Sequence, residues 1–459
     1  MGITEPTSNI KSEDRDTEEQ KRIITSLFGT IKRYFGKWGD IFAGIHDERE
    51  PGKITYSMSA LLFTGMMLFA CQLGSRRQIN HKLRGNETAK RKYRAMFGVE
   101  EIPHGDTLNY TYQRLEVAEV QEVVCRIMEK LMKHDELTQW RLFGVYYLIA
   151  MDGTGVLSFT ERHCEFCLTQ ELKNGEIRYY HPVLEAKLVT THGYAFSLMT
   201  EFIENSDPQA TKQDCELKAF YRLEERLKKR FPQASFCLLL DGLFAGGPTL
   251  QRCEKNDWKY MIVLTDEDLA SVNQEFEALL SLPPENHLDI AVEKGVRQTY
   301  RWVNGIEYLD GQTHLHTLNV LECVETASDK KGKLTATKFK WLTNFTLLSR
   351  NIPTLANNGG RLRWKIENEG FNFQKNGGFC LEHAYSQNET AHKVFYLLLQ
   401  IALTFFQLMA KSQFYNQAFP KGVGSLKNIA YRLLEAWRNL RLDDQAFLIL
   451  FDIPVLDTT

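Results

Sequence analysis

The sequence predicts an α/β protein with four parts: a helical N-terminal region, an α/β core, a mainly β insertion inside that core, and C-terminal helices. Three changes of pattern predict it. From about Ile23 to Arg141 the chain reads as helical. From Val145 onward, short apolar runs closed by turn residues alternate with amphipathic stretches. Between Asp266 and Lys338 polar and apolar residues alternate, as in half-exposed strands. The boundaries expected are a polar, disordered tail over 1–20, a helical domain over 21–142, core over 143–265, insertion over 266–337, core again over 338–415 and a helical segment over 416–459.

A chain of 459 residues, 43% of them hydrophobic, is long enough for two or three domains with at least one large core. Nine cysteines with no signal-peptide pattern favour a reducing, cytoplasmic compartment. The apolar stretches Met58–Leu73 and Val394–Met409 fall short of the roughly 20 residues that span a bilayer, so buried helices are expected and no membrane. The net charge of −2 counts against a uniformly basic nucleic-acid binder. Charge is concentrated locally, however. Ser75–Gly98 holds Arg76, Arg77, Lys82, Arg84, Lys90, Arg91, Lys92 and Arg94, with Glu87 opposing within the stretch. His104-Gly105-Asp106-Thr107 then reads as a turn and helix cap, with Asp106 or Thr107 as the capping residue. Helix, basic connection and capped helix suit a domain that neutralises phosphates, or equally a solvated face on a bundle.

In the core, Val145–Asp152 and Phe236–Asp241 are apolar runs that each end in Asp-Gly, as a buried strand does when it meets a turn. Val156–Thr160, His181–Thr191 and Tyr194–Ile203 read as further strands, Thr211–Arg230 and Gly246–Asn256 as helices, and Tyr260–Thr265 as a strand. Strand, strand, strand, helix, strand, helix, strand is the order of a ribonuclease-H-like domain. In the insertion, Asn304-Gly305 is a hairpin-turn signal.

Arg361–Lys375, between Gly359-Gly360 and Gly377-Gly378, reads as a helix. Arg363 and Glu367 lie four residues apart on one face of it; Glu369 lies roughly 200° around from Glu367. Asp152, Asp241 and Glu367, if brought together, are hard oxygen ligands suited to two Mg²⁺ ions, with Mn²⁺ as a substitute.

The order Asp152, Asp241, Glu367, with LTNF (Leu342–Phe345) before the helix and RLRWKIENEGF (Arg361–Phe371) on it, resembles the DDE transposases of bacterial insertion sequences, over roughly Tyr146 to Leu408. In that family tyrosine, arginine, glutamate and lysine recur around the catalytic glutamate. Here Gly360 stands in the tyrosine's place, and Lys375 falls one residue late, behind Gln374; an extra residue before Phe371 would account for the slip. The resemblance implies Mg²⁺-dependent cleavage and strand transfer on double-stranded DNA, at element ends and target, by a homodimeric complex. It implies catalytic and metal-binding roles for Asp152, Asp241 and Glu367. It also implies DNA contacts by Arg76, Arg77, Arg91, Lys92, Arg361, Arg363 and Lys375, and by Trp302 as a ring stacked on a flipped base, although a tryptophan beside a hairpin is more often a packing residue. A non-catalytic DNA-binding protein and a metal-dependent nuclease are the other readings.

One cluster stands outside this scheme. Cys164-x-x-Cys167 has the spacing of a zinc half-site, which His181 and Cys215 would complete; thiols without metal are the other reading. Asp214 and Glu216 flank Cys215 and could either cap a helix or point at the acidic site.

If the basic run contacts phosphates, replacing Arg76, Arg77, Arg91 and Lys92 with alanine flattens the logarithmic salt dependence of DNA binding by about 0.9 per lost contact. Titrating binding against salt measures it, and an unchanged slope makes the run a solvated face.

Overall fold

The computed structural model describes residues 7–36, 38–206, 212–282, 286–292, 295–328 and 333–441. Contacts divide the chain into two compact units. One comprises 1–134, 155–181 and 371–459, and the other 135–154 and 182–370. The architecture is mixed α/β with a mixed sheet, as expected at that level.

The first unit is built around the helix Ala391–Lys411. Its sequence AHKVFYLLLQIALTFFQLMAK is apolar on nearly every side, and such a helix must be covered on every side. Met58–Ala70, equally apolar, packs along it, as do Val117–Lys133 and Thr7–Phe35. Among the described residues Ala391–Lys411 is the one helix long and apolar enough to cross a membrane, longer than the sequence suggested, and 89% of its apolar window is buried. The supposed tail is helical from Thr7; residues 1–6 lie outside the described residues. The N-terminal helices are not packed apart from the C-terminal ones. Trp437, on Leu426–Asn439, is fully buried against the rings of Phe28, Phe63 and Tyr93. Residues 442–459 of the expected C-terminal segment lie outside the described residues.

The second unit is a sheet. We number the strands β1 (Tyr147–Phe159), β2 (Leu168–Glu171), β3 (Ile177–Val189), β4 (Ala195–Phe202), β5 (Phe236–Leu240), β6 (Lys259–Val263), β7 (His287–Val292), β8 (Val296–Leu309), β9 (Leu315–Ser328) and β10 (Leu334–Thr343). Their order is β3-β1-β5-β6-β10-β9-β8-β7, with β4 on the other side of β3; β2 pairs with the first residues of β3, Ile177–Tyr180, in the first unit. β1, β5 and β6 run parallel and β10 returns antiparallel to β6. The helices Glu216–Arg230 and Gly247–Lys255 connect the parallel strands, near where the amphipathic pattern placed them.

Two expectations change. β1 does not stop at Asp152 but continues through Asp-Gly to Phe159, absorbing the separate strand expected after it. Asn304-Gly305 is not a hairpin turn. β8 runs through it with a register shift between Val303 and Ile306, because Gly305 takes a left-handed φ of 81° and the Asn304 side chain bonds the Leu347 backbone N–H and C=O. The turn lies at Asp310–His314, where the Asp310 carboxylate accepts from the Gln312 and His314 N–H groups. The insertion therefore joins the core sheet. β10, shared by both, is locked to β6 by Thr343, whose hydroxyl donates to the Tyr260 carbonyl, and by Asn344, which bonds the Trp258 carbonyl and the Tyr260 N–H.

The basic run is more compensated than the sequence suggested. Glu100 and Glu101 pair with Arg94, Arg84 and Lys90, and Asp106 pairs with Arg76. Such exposed pairs contribute about 0–1 kcal/mol each, little enough for a phosphate to replace. Arg77, Lys82 and Arg91 are exposed. Lys92 is not part of this face: it is 3% exposed and its ammonium donates to the Trp437 carbonyl at 2.6 Å. The cap of Gly105–Tyr112 is His104, whose Nδ1 accepts from the Asp106 N–H, rather than Asp106 or Thr107.

Burial holds the Lys92 ammonium down to about 7. Between pH 7 and the ordinary lysine value of about 10.4 the unfolded chain therefore binds more protons than the folded one, and stability rises with pH across that window. Lys92→Met should remove the rise and leave the protein at least as stable at pH 7, as urea unfolding at pH 7 and pH 9.5 would report.

Candidate active site

The acidic cluster follows from strand pairing. β1 and β5 pair in parallel with Tyr147 opposite Phe236 and Ala150 opposite Leu239. The same offset carried two residues further sets Asp152 beside Asp241, on strands about 4.8 Å apart. All five residues of β5 are buried, and in β1 burial is complete up to Met151, so both carboxylates stand where the sheet emerges from the core. Each is locally oriented: an Asp152 oxygen accepts from the Gly153 N–H at 2.9 Å, and an Asp241 oxygen caps Gly242–Phe244 by accepting from the Leu243 N–H at 3.0 Å. Ligand sites in sheets of this kind sit at the carboxyl ends of parallel strands.

The segment Arg361–Lys375 is helical but not uniformly α. Gly360–Trp364 is wound as 3₁₀, Ile366–Phe371 as a π-helix, and Asn372–Asn376 as α. A π turn holds one more residue than an α turn, and it lies where an extra residue would displace Lys375. Gly360 stands against Trp341, whose ring would lie 2.5 Å from an added Cβ, so no tyrosine fits there.

Arg363 is 8% exposed and its guanidinium pairs with Asp152 at 3.2 Å, while its buried Nε has no hydrogen-bond partner. Burial raises the Asp152 carboxyl above its ordinary value; Arg363 opposes this, and the charges of Asp241 and Glu367 add to it. Glu367 is thus within electrostatic reach of Asp152. Glu369 instead pairs with Lys365.

A fourth carboxylate belongs to the cluster. Glu216 opens the helix Glu216–Arg230, and its pKa is raised by burial and by Asp152 and Asp241. It fits because residue 153 is glycine: an added Cβ would lie 2.1 Å from the Glu216 carboxylate. Its address beside Cys215 had marked it, but capping was an equal reading, and only the missing Cβ separates the two. Asp214 turns away to Arg222, at 2.7 Å.

Other candidates are placed differently. Trp302 is 4% exposed within β8 and packs in the core, with no ring face presented to a base. Arg361 pairs with Glu325 at 2.8 Å and lies over the Phe339 ring, and Lys375 pairs with Glu382 at 3.4 Å. Cys215 is exposed at the N-terminus of its helix and is not among the ligand atoms that gather around Cys164, Cys167 and His181.

The donor set suits hard divalent cations: carboxylate oxygens, of which burial and neighbouring charge raise the pKa of Asp152 and Glu216, with one arginine as counter-charge. Because the folded-state values of Asp152 and Glu216 are raised, their contribution is most favourable below the ordinary carboxylate range of about 4 and is lost as pH rises through the shifted values. Glu216→Gln should therefore stabilise the metal-free protein at neutral pH relative to acid. Mg²⁺ or Mn²⁺ should raise the melting temperature of the wild type but not of Asp152→Asn, as thermal unfolding with and without each ion measures. No protein-family model matches this chain, and no curated protein matches it significantly.

Proposed function

We propose that this chain is a DNA transposase that cleaves the ends of an insertion sequence and joins them to target DNA, using Mg²⁺ held by Asp152, Asp241 and Glu367 on a ribonuclease-H-like core. The observation that carries the reading is the strand register that sets Asp152 beside Asp241, with Glu367 close enough to shift Asp152. The chain order β1, β3, β4, helix, β5, helix, β6 supports it, being the order expected of such a core. Insertion of the β segment between Asp241 and Glu367 supports it as well.

In this reading the cations lower the charge penalty at the reacting phosphate and activate water for hydrolysis. The chain's own residues do the rest. Asp152 and Asp241 fix the near side of the site from adjacent strands, and Glu367 closes it from the π turn. Arg363 counters the carboxylate charge, and its planar guanidinium suits a phosphate oxygen near Asp152. Glu216 adds negative charge that strengthens cation binding. Double-stranded DNA is the partner, with Arg77, Lys82 and Arg91 as the exposed cations of the basic run. Two protomers act together, one for each end of the element.

The test compares Asp152→Asn, Glu367→Gln and Glu369→Gln on DNA carrying an element end, by Mg²⁺-dependent cleavage and by gel shift. The first two should lose cleavage by at least about a hundredfold and keep DNA binding, whereas Glu369→Gln should stay within a few-fold of wild type. Cleavage by Asp152→Asn at the wild-type rate overturns the proposal. A dead Glu369→Gln beside an active Glu367→Gln moves the third ligand by two residues.

A further inference from the structure

A second cluster, in the first unit, has a different donor chemistry. It lies in the connection between the end of β1 at Phe159 and the start of β2 at Leu168, facing the first residues of β3. Cys164 and Cys167 lie on either side of a turn at Glu165-Phe166, and their sulfurs are 3.4 Å apart. The His181 Nε2 lies 3.4 Å from the Cys164 sulfur and 3.2 Å from the Cys167 sulfur. His163 Nδ1 lies 3.2 Å from the Cys167 sulfur, and the ligand atoms of all four side chains lie within 4.8 Å of one another. Cys167 and His181 are buried; Cys164 and His163 are half-buried.

Four soft or borderline ligand atoms from two directions converge on one point. In a tetrahedron with Zn–S of about 2.3 Å and Zn–N of about 2.0 Å, ligand atoms lie roughly 3.3–3.8 Å apart, close to the spacing found here. Hydrogen bonding alone explains the packing poorly. Thiols are weak donors, with one proton each, and here they crowd against each other and against two imidazoles. The outer contacts also fit ligation. His163 Nε2 lies 3.1 Å from the Gln387 backbone carbonyl, which holds the proton on that nitrogen and leaves the Nδ1 lone pair aimed at the cluster. The His163 ring is further held by stacking on Phe159, with centroids 4.2 Å apart. A Cys₂His₂ set selects zinc over the hard cations that carboxylates take.

We infer that His163, Cys164, Cys167 and His181 form a structural zinc site that staples the β1–β2 connection to β3. The fourth ligand is His163, adjacent to the C-x-x-C pair, rather than the distant Cys215. The inference is independent of the transposase reading, since it concerns neither DNA nor the carboxylates.

The test uses the full chain, purified from zinc-supplemented medium and dialysed against Mg²⁺-containing buffer so that the carboxylate site stays supplied. Elemental analysis should find about one zinc per chain in the wild type and in Cys215→Ser, and almost none in Cys164→Ser or Cys167→Ser. A zinc-selective chelator that spares Mg²⁺ should lower the wild-type melting temperature towards that of Cys164→Ser, with no further effect on that variant. Should a cysteine variant fold poorly, the wild type is depleted of zinc and reloaded with Co²⁺, which should give thiolate-to-cobalt charge-transfer absorption in the near ultraviolet. Wild-type protein without zinc that also shows no thiolate–cobalt band overturns the inference, as does equal zinc retention by Cys164→Ser and Cys167→Ser. A Cys164–Cys167 disulfide in the freshly purified wild type, detected by its resistance to alkylation before reduction, overturns it too.

Discussion

Two negative charges placed side by side at the end of a buried sheet are the constraint to which the second unit answers. Parallel pairing of β1 with β5 leaves Asp152 and Asp241 level with each other, and neither can retreat, because the residues before each are wholly buried. The surrounding residues are what make this tolerable. Arg363 is buried against Asp152 instead of reaching into solvent, and two backbone N–H groups, of Gly153 and Leu243, each satisfy one aspartate oxygen. Further carboxylates, Glu216 and Glu367, raise the cost rather than relieve it. An arrangement that gathers like charge against its own stability is better explained by a ligand than by folding.

The parts of this site that were legible in the sequence are those carried by local pattern. Apolar runs ending in Asp-Gly marked the two aspartates, and amphipathic spacing marked the helix between them. What was not legible depends on chain segments meeting. The burial of Lys92 is set by Trp437, far along the chain, so nothing near Lys92 distinguishes it from the exposed Arg91. Asn304-Gly305 has the composition of a hairpin turn, yet the Leu347 backbone engages Asn304 and makes a bulge of it. The same holds for Trp302, which the resemblance offered as a ring for a flipped base but which is 4% exposed within β8. The π turn at Ile366–Phe371 is intermediate: a displaced lysine hinted at an extra residue, but only backbone geometry says where the residue is accommodated.

The chain gathers two sets of candidate cation ligands that differ in hardness. Carboxylate oxygens gather midway along β1 and at the end of β5, and thiols with imidazoles gather at the β1–β2 connection and β3. A hard cation that exchanges water readily gains little from sulfur, and a borderline-soft one prefers it, so each set discriminates against the other's ion without needing distance or compartment to do so.

The way β10 is shared bears on how such a protein could have been assembled. An insertion that folded on its own could be removed at its ends with the host intact. This one ends partway along β10, and the rest of that strand covers β6: Trp341–Thr343 pair with Met261–Val263, and Thr343 and Asn344 clamp the pair. Excision that took the whole of β10 with it would leave a row of unpaired peptide groups in the middle of the architecture, an open edge inviting association with other chains. The segment is therefore not modular. Its length and outer strands are free to drift or be engineered, but its last strand belongs to the host and has to be inherited with it.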